Sequence, residues 1–174
     1  FINYDIDETL NDEVTYHLLR YNAEDKGIPI EERKPIYIYV TSNGGSVNDG
    51  FALIDAILQS KTPVYTINLA YQYSMGFLIG LAGHKRYASK HATFLMHDGS
   101  NFIYNSMSKA RDQMKFQENM EEHIKKYILS RSKLTPQEYD EKYRTEWYLY
   151  AEDAKLKGFT DYIIGEDCEL DEII

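Results

Sequence analysis

The sequence predicts an α/β fold of repeated strand–helix units around a mainly parallel sheet, with one long helix projecting from it. Three observations carry the prediction. The uncharged, aromatic and β-branched runs Pro35-Ile36-Tyr37-Ile38-Tyr39-Val40 and Val64-Tyr65-Thr66-Ile67-Asn68-Leu69 read as strands. Each is followed by an apolar run of helical character, and two such units in a row imply parallel strands with right-handed crossovers. Gly44-Gly45 and Ser74 stand at the two strand exits, so both loops fall at the carboxyl edge of the sheet and face one crevice.

Taken in order, Phe1 to Ile6 reads as an opening strand, and Asn11-Asp12-Glu13 caps a helix with Val14, His17, Leu18 and Tyr21 near helical spacing. Residues 22–33 are polar, contain Gly27 and Pro29, and read as a loop. The absence of charge from 35–40 predicts burial on both faces of that strand. Thr41 to Val47 is a glycine-bearing exit, and Phe51, Ile54, Ile57 and Leu58 mark the next helix. The glycines match no phosphate-loop pattern. Pro63 ends that helix, the strand 64–69 follows, and Met75 to Leu81 opens a buried helix directly after Ser74.

Further along, Arg86-Tyr87-Ala88 reads as a short strand, and Ala92-Thr93-Phe94-Leu95-Met96-His97 as a better one closed by the turn Asp98-Gly99-Ser100. Residues 105–132 form one long helix with Met107, Ala110, Met114, Phe116 or Gln117, Met120, His123 or Ile124, and Tyr127 on an apolar stripe among dense charges. That length exceeds what a small domain covers, so part of it projects. Thr135 caps and Pro136 opens a short helix to about Arg144. A brief helix over 151–157 stops at Gly158, residues 159–164 form a last strand, and Glu166 to Glu172 is a solvated acidic tail. No internal repeat or low-complexity stretch interrupts the chain, so residues 1–174 read as a single domain.

Composition narrows the functional classes. A net charge of −9 argues against a nucleic-acid surface and against anionic membrane, because both need clustered Lys and Arg. Cys168 is the only cysteine, which rules out an intrachain disulfide and a cysteine zinc cage and fits a reducing, cytoplasmic setting. The longest apolar run, Phe77 to Gly83, falls far short of the roughly 20 residues that span a bilayer. No basic-then-apolar leader opens the chain, and a start on Phe1 reads as a trimmed or processed N-terminus. Sixteen tyrosines fit either a tyrosine-rich core or a self-associating surface.

Two residues stand out as candidates for chemistry. Ser74 sits where unpaired N–H groups at a helix start and the helix dipole favour a hydroxyl nucleophile and a developing oxyanion. A plain N-cap serine is the competing reading. His97 alone among the five histidines closes an apolar strand beside a turn, a place that suits a general base and equally a structural histidine.

The order Ser42-Asn43-Gly44-Gly45-Ser46, then Tyr73-Ser74-Met75-Gly76, then Leu95-Met96-His97 resembles the Clp protease proteolytic subunit (ClpP) family. The resemblance covers nearly the whole chain and includes Asp153-Ala154-Lys155-Leu156-Lys157-Gly158-Phe159-Thr160-Asp161 near the end. It implies a ClpP/crotonase-like fold with a handle at about 98–132. It further implies Ser74 as nucleophile, His97 as general base, and the N–H groups of Gly45 and Met75 as an oxyanion hole. Gly44, Ser46, Val47 and Gly99 would line the track of an extended substrate. Glu146, in Thr145-Glu146-Trp147-Tyr148, falls where the family has the aspartate of its triad; Asp140 and Asp153 are weaker alternatives, and Asp98 would point away along the chain. The resemblance implies no metal or organic cofactor, an unfolded polypeptide substrate, heptameric rings stacked in pairs, and feeding by a Clp-type AAA+ ATPase.

Departures from the family pattern are specific. Asn43 replaces proline, Tyr73 replaces alanine, Glu146 replaces aspartate, and His97-Asp98-Gly99 replaces H-Q-P at the base of the handle. The charged pair that bridges rings in the family is replaced by Arg144-Thr145. The departures keep open an inactive regulatory ring subunit as the alternative function. A crotonase-like acyl-CoA enzyme is a third reading, disfavoured by the paired Ser74 and His97.

Overall fold

A computed structural model describes residues 1–99 and 103–173 of the chain. A π-helical turn, Asn11–Thr15, leads into α1 (Tyr16–Glu24). Then follow β1 (Ile36–Tyr39), α2 (Val47–Gln59), β2 (Val64–Asn68), β3 (Tyr71–Tyr73), α3 (Met75–Ala82), β4 (Lys85–Ser89) and β5 (Thr93–Met96). The chain ends with α4 (Met107–Arg131), α5 (Pro136–Lys142), β6 (Trp147–Tyr150), α6 (Ala151–Leu156) and β7 (Tyr162–Ile164).

Two sheets result. The larger has the order β1-β2-β4-β7, and every pair in it is parallel. The smaller has the order β3-β5-β6, with β3 parallel and β6 antiparallel to β5. Where the sequence predicts one strand before Ser74, the chain makes two, β2 then β3, and the same pairing recurs in the two strands predicted before His97, β4 then β5. Each successive unit therefore adds one strand to each sheet. Beyond β1 the chain runs on in the same way, with Val40 N–H bonded to Ile67 O and Ser42 bridging Gln72 in parallel. The segment 42–45, β3 and β5 thus run side by side, and their carboxyl ends share one edge.

The main core lies between the sheets and helices and contains Ile2, Leu53, Ile54, Ile57, Phe77, Ile79, Phe94 and Phe159. All eight residues of α3 are buried, as its unbroken apolar run requires. Within α4 only Ile128 is buried; the first turns stand clear of the core, so the helix protrudes. Among the described residues no helix is long and apolar enough to cross a membrane.

Four expectations need correction. The opening strand reduces to isolated bridges, Ile2 to Val40 and Ile6 to Gly45. Asn11 does not cap the first helix: its side-chain amide donates to Asp49 at 2.8 Å, and among the described residues no side chain caps either the π-helical turn or α1. Strand β1 is not buried on both faces: Ile38 packs inward, but Tyr37 and Tyr39 are half-buried against a second cluster of Ile67, Tyr87 and Ile173. Tyrosine explains the misreading, because it lacks charge yet keeps its hydroxyl near water.

The acidic end is solvated, as expected, but it is fastened to the fold and not a free tail. Asp167 accepts from Ile163 N–H at 2.6 Å and pairs with Lys155, a capping box links Glu169 and Glu172, and Ile173 is only 2% exposed beneath Ile67 and Tyr87. The run of acids conceals one apolar anchor. Of the predicted Asp98-Gly99-Ser100 turn, Ser100 lies outside the described residues.

Candidate active site

The short side of β3 fixes Ser74. Its N–H donates to Leu95 O at 3.1 Å, and its carbonyl accepts from Leu78 N–H at 3.2 Å as the first bond of α3. Between these bonds the residue takes φ +52°, the only positive φ among non-glycine residues described. A β-carbon in that region is strained, and strain of this kind persists only where the surroundings impose it. Here Ser74 is the single residue between a strand and a helix, which turns the hydroxyl outward at the helix start, much as in a nucleophile elbow. The Ser74 side chain accepts no cap bond from the first turn of α3, so the plain N-cap reading does not describe it.

Gly44 and Gly45 lie opposite that turn at φ +108° and +142°. A β-carbon on Gly44 would sit 2.7 Å from Ser74 Cβ and 2.9 Å from Met75 N, so the absence of a side chain is what lets the two segments approach. The Gly44 carbonyl and Ser46 N–H both bond Ile6, each at 2.7 Å. In a parallel bridge the middle residue directs its own N–H to the other edge, so Gly45 N–H faces away from Ile6. Neither it nor Met75 N–H, the first of α3, donates a hydrogen bond among the described residues. Gly44→Ala is expected to lower the melting temperature by roughly 3–10 °C, from a clash and strain of about 1–3 kcal/mol. Calorimetry checks the value.

Strand β5 delivers His97, and the register delivers Glu146. Met96 pairs with Trp147 across the antiparallel β5–β6 ladder, so residues 97 and 146 are the next pair. Their side chains meet at 2.8 Å, Nδ1 to Oε1. With Nδ1 occupied, Nε2 is buried and has no partner among the described residues. His97 is 21% and Glu146 61% exposed at the side chain. Of the two weaker candidates, Asp140 pairs with Lys125 and Asp153 lies in the first turn of α6.

Ser74 and His97 line one pocket of about 60 Å³ with Val47, Met75, Asp98 and Gly99. No hydrogen bond joins Ser74 Oγ to His97 Nε2. Such bonds are commonly open in the resting state and close with substrate bound. Asp98 is exposed and contributes to the lining of the same pocket. Phe77, Leu78, Met96, Ile124 and Ile128 make the floor apolar, and Tyr143 closes a wall. Burial pushes the Tyr143 hydroxyl up, which keeps it neutral there. The sequence did not point to Tyr143. Ile124 was visible as part of the apolar stripe of the long helix, though without its partner.

A strained helix-start serine sharing a pocket with a histidine bonded to a carboxylate, on a mainly parallel α/β scaffold, is an arrangement shared by serine hydrolases. Comparison with known proteins narrows the class. The Clp protease family model matches residues 1–167, and the chain belongs to that family. It is similar to the ATP-dependent Clp protease proteolytic subunit 1 of Frankia casuarinae, with 29% identity over 95% of this chain and 76% of the relative. It is also similar to subunit 2 of Thermobifida fusca, with 30% identity over 94% of this chain and 79% of the relative. Subunit 2 of Treponema pallidum is 46% identical over a shorter stretch, 37% of this chain and 33% of the relative.

Proposed function

We propose that the chain is a ClpP-type serine endopeptidase of one domain that cleaves unfolded polypeptide within an oligomeric chamber. One observation carries the reading: His97 is tied through Nδ1 to Glu146, leaving Nε2 unpartnered in the pocket that Ser74 lines. Nε2 takes the Ser74 proton as Oγ attacks the peptide carbonyl carbon. Gly45 and Met75 N–H groups hold the oxyanion, and Glu146 stabilises the imidazolium. The C–N bond then breaks, the departing amine takes the proton from Nε2, and the acyl group stays on Ser74. Water activated by His97 hydrolyses the ester by the same steps in reverse order.

Gly44, Ser46 and Val47 on one side and Gly99 on the other offer edges along which an extended chain lies as an added strand. Nothing in the scheme requires a metal or cofactor. A heptameric ring, stacked in pairs and served by a Clp-type AAA+ ATPase in the cytoplasm, belongs to the same proposal; the relatives' names, ATP-dependent proteolytic subunits, support its ATP-dependent, multi-subunit part. The exposed Tyr16, Leu19, Met114 and Phe116 supply apolar surface for neighbouring copies.

A fluorophosphonate probe tests the assignment. Covalent labelling of the assembled protein that disappears in Ser74→Ala is the expected result. An assembled ring that takes no label supports the inactive regulatory subunit instead.

A further inference from the structure

We infer that Tyr148 is a positioning residue for the Glu146 carboxylate, and that Tyr73 fixes Tyr148 in turn. The inference rests on the reading of Glu146 as the partner of His97. Residues 146 and 148 are two apart along an extended segment and therefore share a face. Glu146 Oε1 meets His97 Nδ1, and its second oxygen, Oε2, accepts from the Tyr148 hydroxyl at 3.4 Å. That distance exceeds the roughly 2.5–3.0 Å of an ordinary O–H···O bond, so in this resting geometry the hydroxyl stands beside Oε2 as a weak, aligned contact. Desolvation, and then the Glu146 charge, push the Tyr148 hydroxyl up, so it remains a donor at neutral pH.

A glutamate in place of an aspartate has one more rotatable bond and must be ordered to serve an imidazole. Glu146 is 61% exposed, and packing alone does not order it. Tyr148 is itself 57% exposed, and what holds its ring is Tyr73: the two rings meet edge to face at 5.6 Å and 88°. Tyr73 is anchored through a 2.8 Å hydroxyl bond to Thr93. The register places Tyr73, Leu95 and Tyr148 in one row across β3, β5 and β6.

Two departures from the family pattern therefore touch through a third residue. An alanine at 73 would leave the Tyr148 ring without its edge contact. An aspartate at 146 would not reach the Tyr148 hydroxyl while holding His97. Tyr73, Tyr148 and Glu146 form one coupled arrangement that adapts the site to a longer carboxylate.

The test measures kcat and KM for a small peptide substrate on the assembled protein. Tyr148→Phe keeps the ring and removes the hydroxyl; it is expected to lower kcat about three- to tenfold with KM unchanged. In a Glu146→Asp background the same replacement should change kcat less than twofold, because the shorter carboxylate is already out of reach. Equal losses in both backgrounds, or no loss in either, overturn the inference. A silent Glu146→Gln sinks the reading of Glu146 itself. A strong Glu146→Gln effect beside a silent Tyr148→Phe sinks only the role of Tyr148. A crystal structure of Tyr148→Phe gives a readout independent of turnover: Glu146 should spread over more than one rotamer, and retention of a single one bonded to His97 counts against the clamp.

Discussion

Replacing His97 by alanine is expected to lower peptide hydrolysis by about 10⁴- to 10⁶-fold while leaving the assembly intact. The imidazole has two tasks, to remove the Ser74 proton during attack and to return it to the departing amine, and no neighbour can take over either. Asp98 lines the same pocket, but a carboxylate is a far weaker base at neutral pH than an imidazole. The fold should survive, because His97 stands past the last residue of β5 and its only side-chain hydrogen bond among the described residues is to Glu146. Residual hydrolysis above background would come from the Gly45 and Met75 N–H groups. Turnover and native mass, measured on the same preparation, check both halves of the prediction. A loss below tenfold would remove His97 from the chemistry.

Glu146→Gln is expected to cost about 10²- to 10⁴-fold in kcat with little change in KM. The cause is geometric as well as electrostatic. A carboxylate only accepts, so it fixes the proton on Nδ1 and leaves the Nε2 lone pair free for Ser74. A glutamine can donate its amide proton to Nδ1, which places the ring proton on Nε2 and disables the base. It also removes the charge that stabilises the imidazolium. Exposure of Glu146 weakens the second effect by solvent screening but leaves the tautomer effect in place. Glu146→Asp separates the two, since it restores the charge at a shorter reach. Activity within twofold of wild type for Glu146→Gln would take residue 146 out of the mechanism.

Much of the scaffold was legible in the chain. The uncharged strands, the helical apolar spacing and the glycines at a strand exit gave parallel strand–helix units, because periodicity and turn chemistry act over a few residues. The short strands β3 and β6 were not legible. Tyr71–Tyr73 and Trp147–Tyr150 are three and four residues long, and neither gives a periodic signal at that length. Ile173 was hidden for a different reason: a single apolar side chain in an acidic segment cannot announce what it packs on.

The sequence by itself determined the strand–helix order, the long projecting helix, the helix-start serine and the strand-end histidine, since each depends on neighbours along the chain. Only the tertiary structure decided that the 42–45 segment, β3 and β5 end together, and that Met96 faces Trp147 so that His97 meets Glu146. The physical reason is register. Cross-strand partners separated by about fifty residues are chosen by packing of whole faces, and a slip of one residue would turn Glu146 to the opposite side of its strand.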